Sequence, residues 1–203
     1  MTRKDDSKMG WGLQTDLNIN LDSDLNGQGL SETLKFSCCK NVIVEGNNHK
    51  VIGGIEDCLD IVRGCNYTFR NIHFITDGTK QHVTAKSGLQ NVVFENCTFS
   101  GKPKTACVVM GQYSDYNILK MPKTQHFLFK NCKFEYKKQA IQLWFADNVV
   151  LENTDAKINK IPGIVVWTYF TFRKIQDKMK YGRFGRGGQT PEGIENVKRN
   201  CCL

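Results

Sequence analysis

The stretch "NVVFENCTF", Asn91 to Phe99, decides the fold, because the chain repeats it with variations. Related stretches are "NVIVEGNNH" from Asn41, "NYTFRNIHF" from Asn66, "HFLFKNCKF" from His126 and "NVVLENTDA" from Asn148. Aligned on the Gly or Asn that follows the first strand of each copy, successive copies are 25, 25, 35 and 22 residues apart. A period in this range is typical of a solenoid, in which each repeat stacks on its neighbours.

Each copy alternates apolar and polar residues with period two, which indicates a β-strand. Another strand-like segment precedes most copies, and a third follows, ending in Phe74, Phe99 or Phe134. Three short strands in about 25 residues match one coil of a β-helix. The sequence therefore predicts an all-β fold, a single-stranded right-handed parallel β-helix of about 5 to 6 short coils, with a C-terminal helix and a basic tail.

Stacked coils place equivalent residues on top of one another, so like side chains form columns. Phe69, Phe94 and Phe129 are expected to form one core column. Asn tolerates a left-handed backbone and can hydrogen-bond to an Asn above or below it. We therefore expect a ladder of turn residues, with Gly46 in the same backbone conformation one coil earlier; the ladder comprises Asn71, Asn96, Asn131 and Asn153.

Charge and hydropathy divide the chain into three predicted parts. Residues 1–29 are expected to form an N-terminal arm and cap, residues 30–167 the β-helix, and residues 168–203 a helix and a basic, Gly-rich tail. The formal net charge is +8, and the segment from Lys157 onward contains ten basic and three acidic residues. The charged N-terminus does not match a secretory signal, and no apolar run is long enough to span a bilayer, so we expect a virion or cytoplasmic protein without membrane contact.

The segment "NVIVEGNNHKVIGG", Asn41 to Gly54, resembles the first full coil of the pectate-lyase-like superfamily of right-handed β-helices. The resemblance covers roughly residues 30–167 and implies the fold. It leaves the activity open, because members include lyases, hydrolases, epimerases and phage tailspikes. Resemblance to the lyases would imply stacked acidic residues around calcium, and we expect no acid cluster here. "NTD" at Asn153 to Asp155 lacks the downstream Asp pair and Gly-His-Gly of the hydrolases, so no catalytic residue, metal or cofactor is predicted.

One column that points outward by alternation is nevertheless mostly apolar. A contiguous apolar strip on a surface usually marks an interface. We therefore expect protein partners, including further copies of the same chain, to contact this column, which consists of Ile43, Thr68, Val93, Leu128 and Val150.

The sequence is compatible with three functions. The first is a non-catalytic structural β-helix in a larger assembly, such as a phage or virion tail, spike or capsid decoration. The second is a polysaccharide-binding or polysaccharide-degrading β-helix, whose glycan contacts would be Tyr113, Asp115, Tyr116 and Trp144. The third is nucleic-acid binding through the basic segment, with Arg173, Lys174, Lys178, Arg183 and Arg186 as the contacts.

Overall fold

The structure is a computed structural model that describes residues 9–76, 81–86, 88–112, 124–144 and 146–160. In these residues the chain forms a parallel β-solenoid of about five turns, which confirms the predicted all-β β-helix. The expected C-terminal helix and tail, residues 168–203, lie outside the described residues. The strands are β1 (Met9–Gly12), β2 (Thr15–Asn20), β3 (Leu25–Asn26), β4 (Glu32–Glu45), β5 (Lys50–Ile52), β6 (Asp57–Arg70), β7 (His73–Ile75), β8 (Gln81–Lys86), β9 (Leu89–Glu95), β10 (Thr98–Ser100), β11 (Val108–Gln112), β12 (Thr124–Lys130), β13 (Lys133–Phe134), β14 (Ile141–Leu143), β15 (Ala146–Glu152) and β16 (Ile158–Lys160).

The strands form three stacks, and every pairing between neighbouring coils is parallel. The first stack contains β1, the first halves of β4 and β6, then β8, β11, β14 and β16. The second contains β2, the second halves of β4 and β6, then β9, β12 and β15. The third is a separate five-stranded sheet of β3, β5, β7, β10 and β13. Each coil crosses the three stacks in this order, so coil 1 begins at β1 and coil 6 at β14.

The long strands β4 and β6 bend sharply where they pass from the first stack to the second. The bend residues have a left-handed backbone, with φ of 56° at Cys38 and 59° at Arg63, and the same place in the next coil is Gly88, with φ of 86°. Gly64 follows Arg63 and approaches the coil below so closely that a Cβ there would lie 2.1 Å from the carbonyl oxygen of Cys39. The bend lets one continuous strand contribute to two stacks.

Aromatic columns fill the interior, as the repeat predicts. Phe94 lies between Phe69 and Phe129, with ring centroids 5.2 and 5.1 Å apart and interplanar angles of 18° and 7°. A second column stacks Phe99 between Phe74 and Phe134, at 5.3 and 4.5 Å. All six rings are at most 2% exposed. Stacking of like side chains in register therefore holds the coils together.

The segment expected to form an N-terminal arm and cap contains the first coil of the solenoid. Met9 to Gly12 pair with Leu34 to Ser37, and Leu17 to Asn20 pair with Val42 to Glu45. The ring of Trp11 stacks on Phe36 at 4.9 Å. Residues 9–26 thus form part of the same solenoid as the repeats that follow them.

Candidate assembly face and a buried carboxyl cluster

The predicted apolar column is present on the outside of the second stack. Strand pairing places Ile43 beside Thr68, Thr68 beside Val93, Val93 beside Leu128 and Leu128 beside Val150. In coils 2 to 5 their chain neighbours on either side, such as Val92 and Phe94, are fully buried, and Val149 and Leu151 beside Val150 pack against the core, so the column faces away from the core. Ile43 is 36% and Val150 50% exposed, and the three residues between them are half-buried.

A charged column runs beside the apolar one, two residues further along each strand. From coil 2 to coil 6 it reads Glu45, Arg70, Glu95, Lys130 and Glu152, so the sign alternates at every step. Arg70 Nε lies 2.7 Å from Glu45 Oε2, and Lys130 Nζ lies 3.0 Å from Glu95 Oε1. The hydrogen bond and the charge of Glu95 raise the pKa of Lys130. We call the two columns together the outer face.

The expected Asn ladder borders the charged column. The amide nitrogens of Asn96, Asn131 and Asn153 each donate to the amide oxygen of the Asn in the preceding coil, all at 3.1 Å. Asn71 ends the ladder by donating to Glu45 Oε1 at 2.9 Å. All four have a left-handed backbone, with φ between 47° and 55°. The ladder fixes the turn between the second and third stacks.

The prediction for Gly46 is wrong, because Gly46 is not among the residues with positive φ. Its backbone N–H bonds to the carbonyl of Arg70, as that of Asn71 bonds to Glu95, so the two positions are equivalent. A Cβ at Gly46 would lie 2.4 Å from the carbonyl oxygen of Asn71. Glycine is therefore required here by close approach of the backbone, and the left-handed residues of this turn are Asn47 and Asn48, with φ of 50° and 63°.

A second ladder, which the sequence reasoning missed, lies at the other end of the second stack. Asn91 donates to Asn66 at 2.9 Å, Asn66 to Asn41 at 2.8 Å, and Asn41 to Asp16 Oδ1 at 2.8 Å. These residues also have positive φ, as do His126 and Asn148 in the coils above. The signal was visible in the sequence, since in four of the five repeats an Asn lies five residues before the Gly or Asn on which the repeats are aligned.

Three acidic side chains lie near one another in the first stack, an arrangement that the sequence reasoning missed. Glu32 pairs in register with Asp57 at the start of strands β4 and β6, and Asp60 lies between Lys35 and Thr84 further along the first stack. Lys86 Nζ lies 3.0 Å from Asp60 Oδ2, and Lys35 Nζ lies 3.6 Å from Glu32 Oε2. Asp57 is 5% exposed and Asp60 is fully buried. Glu32 and Asp57 are 25 residues apart, the repeat period itself, which is the signal that would have brought them together.

Burial dominates the electrostatics of this carboxyl cluster. It raises the pKa of Asp57 to about 8, against a hydrogen bond with Thr84, and the charges of Asp60 and Glu32 raise the pKa further. Burial also raises the pKa of Asp60 and of Glu32, although Lys86 and Lys35 oppose the shifts. Burial therefore favours the protonated, neutral form of Asp57. In the described parts of the chain, no group of three or more His, Cys, Asp or Glu side chains is arranged to hold a metal ion.

A column of polar side chains lies inside the corner between the third and first stacks. Each side chain donates a hydrogen bond to a backbone carbonyl at the end of a third-stack strand. Thr33 Oγ1 donates to the carbonyl of Ile52, Cys58 Sγ to that of Ile75 and His82 Nε2 to that of Ser100, at 2.5, 3.2 and 2.6 Å. Burial lowers the pKa of His82 to about 4, so the imidazole is neutral. Its ring packs edge-on against Phe99 at 5.8 Å. His82 is thus a core residue with a satisfied donor.

The other predicted contacts are only partly described. Trp144 is half-buried, and its backbone N–H donates to the carbonyl of Met110 at 2.9 Å. Tyr113, Asp115 and Tyr116 lie outside the described residues, as do all the predicted nucleic-acid contacts, Arg173, Lys174, Lys178, Arg183 and Arg186. Glycan binding and nucleic-acid binding at these residues therefore stay predictions.

No helix in the described ranges has the length and hydropathy needed to cross a bilayer. Comparison with known proteins adds no relative to this geometry: no family model, no curated protein and no solved structure matches the chain.

Proposed function

We propose that the protein is a non-catalytic structural β-helix of a larger assembly, which it joins through the outer face. The observation that carries the proposal is the apolar column from Ile43 to Val150, which faces outward along five coils. Contiguous apolar strips of this kind are costly to leave in water and typically mark contacts with another protein. The core does not need these residues, because residues of the opposite alternation fill it.

Within this proposal, we infer that the assembly is a virion, and that the chain serves as a tail, spike or capsid-decorating component. The support is the repeat, which resembles a superfamily that includes phage tailspikes. Long, regular solenoids suit this role because each coil contacts only its neighbours and the stack presents an extended side surface.

Light scattering on the purified full chain tests the role of the outer face. The wild-type chain is expected to have a mass that is a multiple of its 23.1 kDa, and Val93→Asp is expected to reduce that mass while leaving the far-UV spectrum unchanged. Lys133→Asp is the matched control, because Lys133 is exposed on the third sheet. A wild-type chain that stays at 23.1 kDa at every concentration, or a Val93→Asp chain that assembles normally, would overturn the proposal.

A second candidate function is cleavage of a polysaccharide, and the carboxyl cluster is the observation that favours it. Glycosidases use two carboxyl groups, one of them kept protonated by its environment, as Asp57 is here. Against this, Asp60 is fully buried and a polymer chain would need access to it. Turnover of an acidic or neutral polysaccharide that Asp57→Asn abolishes would establish this function; without such turnover the cluster is structural.

A further inference from the structure

We propose that the outer face binds a second copy of this chain across a two-fold axis that runs parallel to the strands and passes between coils 3 and 4. The two solenoids are then antiparallel. This inference rests on the proposed assembly role of the outer face and names its partner and register. It is carried by the order of the charges from Glu45 to Glu152.

The symmetry decides which residues meet. A two-fold axis that lies in the interface and parallel to the strands turns the face over without exchanging its columns, so each column faces its own copy with the coil order reversed. With the axis between coils 3 and 4, Arg70 faces Glu95 of the second copy and Glu45 faces Lys130 of the second copy. Symmetry repeats each contact, so every charge in coils 2 to 5 meets its opposite.

A slip of one coil, or an axis along the solenoid, brings like charges together. If the axis moves to coil 4, Glu45 faces Glu152, Arg70 faces Lys130 and Glu95 faces itself. If the axis instead runs along the solenoid and the charged columns face each other, every charge faces its own copy. Like charges in close apposition across an interface are strongly unfavourable, so these arrangements are excluded. An axis between coils 4 and 5 restores opposite pairs, with Arg70 facing Glu152 and Glu95 facing Lys130, but only four of the six coils then overlap. The charges and the length of the solenoid together therefore favour the axis between coils 3 and 4.

The apolar column fits the same axis. Thr68 faces Val93 of the second copy and Ile43 faces Leu128 of the second copy, so apolar contacts occupy the centre while the charges lie to one side. On the other side the second ladder brings Asn66 opposite Asn91. An apolar centre with a polar rim is the usual anatomy of a protein interface.

The face is large enough for a stable dimer. With the second ladder counted as a third column and coil 1 included, six coils about 4.8 Å apart and three columns about 7 Å apart give roughly 600 Å² for each copy. The total of about 1,200 Å² exceeds the approximately 1,000 Å² that a specific interface needs. The four ionic side chains at the centre are accessible, since those of Arg70, Lys130, Glu95 and Glu45 are 44%, 43%, 30% and 16% exposed.

Charge reversal on separate chains tests the register. Arg70→Glu should weaken dimerisation at least tenfold, because the introduced carboxylate would face Glu95 of the second copy. Glu95→Arg should do the same, because the introduced guanidinium would face Arg70 of the second copy. In a mixture of these two variants, every reversed charge meets its opposite in the heterodimer, so dimers should return.

A mixture of Arg70→Glu with Lys130→Glu is the matched control for this rescue. This mixture should stay monomeric, because in its heterodimer the carboxylate introduced by Arg70→Glu still faces Glu95, and the one introduced by Lys130→Glu faces Glu45. Sedimentation velocity at low and high salt measures the two single variants and the two mixtures.

Photo-cross-linking supplies a readout that does not depend on charge. p-Benzoylphenylalanine at position 43, in dimers mixed from ¹⁵N-labelled and unlabelled chains, should attach to the partner near Leu128. The same probe in place of Lys133 should give no cross-link between chains.

The outcomes separate the inference from the proposed function. In two of these outcomes Val93→Asp disrupts the multimer, but either position 43 cross-links to its own coil in the partner or the charge-reversed pair fails to associate. Either result would overturn the antiparallel register and leave the assembly role standing. A wild-type chain that is monomeric throughout would overturn both.

Discussion

Truncation of Phe94 is the sharpest test of the stacked core. Phe94 is fully buried and lies between Phe69 and Phe129 at 5.2 and 5.1 Å, with Phe99 and Phe74 edge-on at 5.9 and 6.3 Å. A buried Phe→Ala change typically costs about 3 to 5 kcal/mol. The coils above and below are held in register by strand pairing, so the cavity cannot collapse easily, and we expect Phe94→Ala to cost about 4 to 5 kcal/mol.

Urea unfolding followed by circular dichroism measures this cost, with the slope of the transition as a check on two-state behaviour. The measurement needs a Val93→Asp background, because dimerisation makes apparent stability depend on concentration. Phe94→Leu is the matched control and should cost clearly less, since it keeps most of the buried volume. A loss below about 1 kcal/mol for Phe94→Ala would show that the ring is not enclosed by its neighbours, and the columnar packing would be refuted.

Three further predictions concern the turns and the buried titratable groups. Asn96→Ala should lower the free energy of unfolding, measured in urea, by about 2 kcal/mol, because it removes two side-chain hydrogen bonds and places Ala in a left-handed backbone. Asn96→Gly should lower it by about 1 kcal/mol less, because Gly tolerates this backbone. Equal losses would contradict a role for backbone conformation. The pKa of His82 is about 4 in the native state and 6.5 ordinarily, so its contribution to stability is complete above about pH 6.5 and is lost as the pH falls toward 4. His82→Cys, which copies Cys58 of the coil below, should therefore reduce the loss of stability at acid pH. An unchanged pH profile of stability would show that His82 is not the group responsible. The pKa of Asp57 is about 8 in the native state and 3.8 ordinarily, so the contribution of its protonated form to stability is complete below about pH 3.8 and is lost as the pH rises toward 8. Asp57→Asn should therefore stabilise the protein by at least about 1.4 kcal/mol at pH 8.5 and leave its stability nearly unchanged at pH 4. Destabilisation at pH 8.5 would mean that the ionised carboxylate is accommodated.

The core and the first Asn ladder could be predicted from the sequence because both depend on local alternation combined with a fixed repeat. Once Phe94 is assigned inward, Val93 must point outward, and the spacing places Val93 beside Thr68 and Leu128. Coil stacking then converts positions in the sequence directly into contacts in space.

The bends inside β4 and β6 could not be predicted in the same way. Cys38 and Arg63 take a left-handed backbone without any turn-forming residue type, so the cost is met by pairing with the coils above and below. The burial of Asp60 on the outside of a sheet was also out of reach. Alternation assigns a side chain to one face of a sheet, but whether that face is exposed to solvent depends on the rest of the chain.

The alternating charges on the outer face carry more information than their intramolecular ion pairs require. Exposed pairs such as Lys130 with Glu95 contribute little to folding stability, so stability within one chain is a weak reason to alternate the sign along the whole column. A column of one sign would repel every antiparallel copy of itself, and a neutral column would let two copies slide by a coil, because the apolar column beside it is nearly uniform from Ile43 to Val150. Alternation permits association and penalises every slip of one coil, since such a slip replaces each opposite pair by a like pair. The alternating charges exclude a slip of one coil, and the limited length of the solenoid disfavours a slip of two coils, so together they favour one register between the two copies.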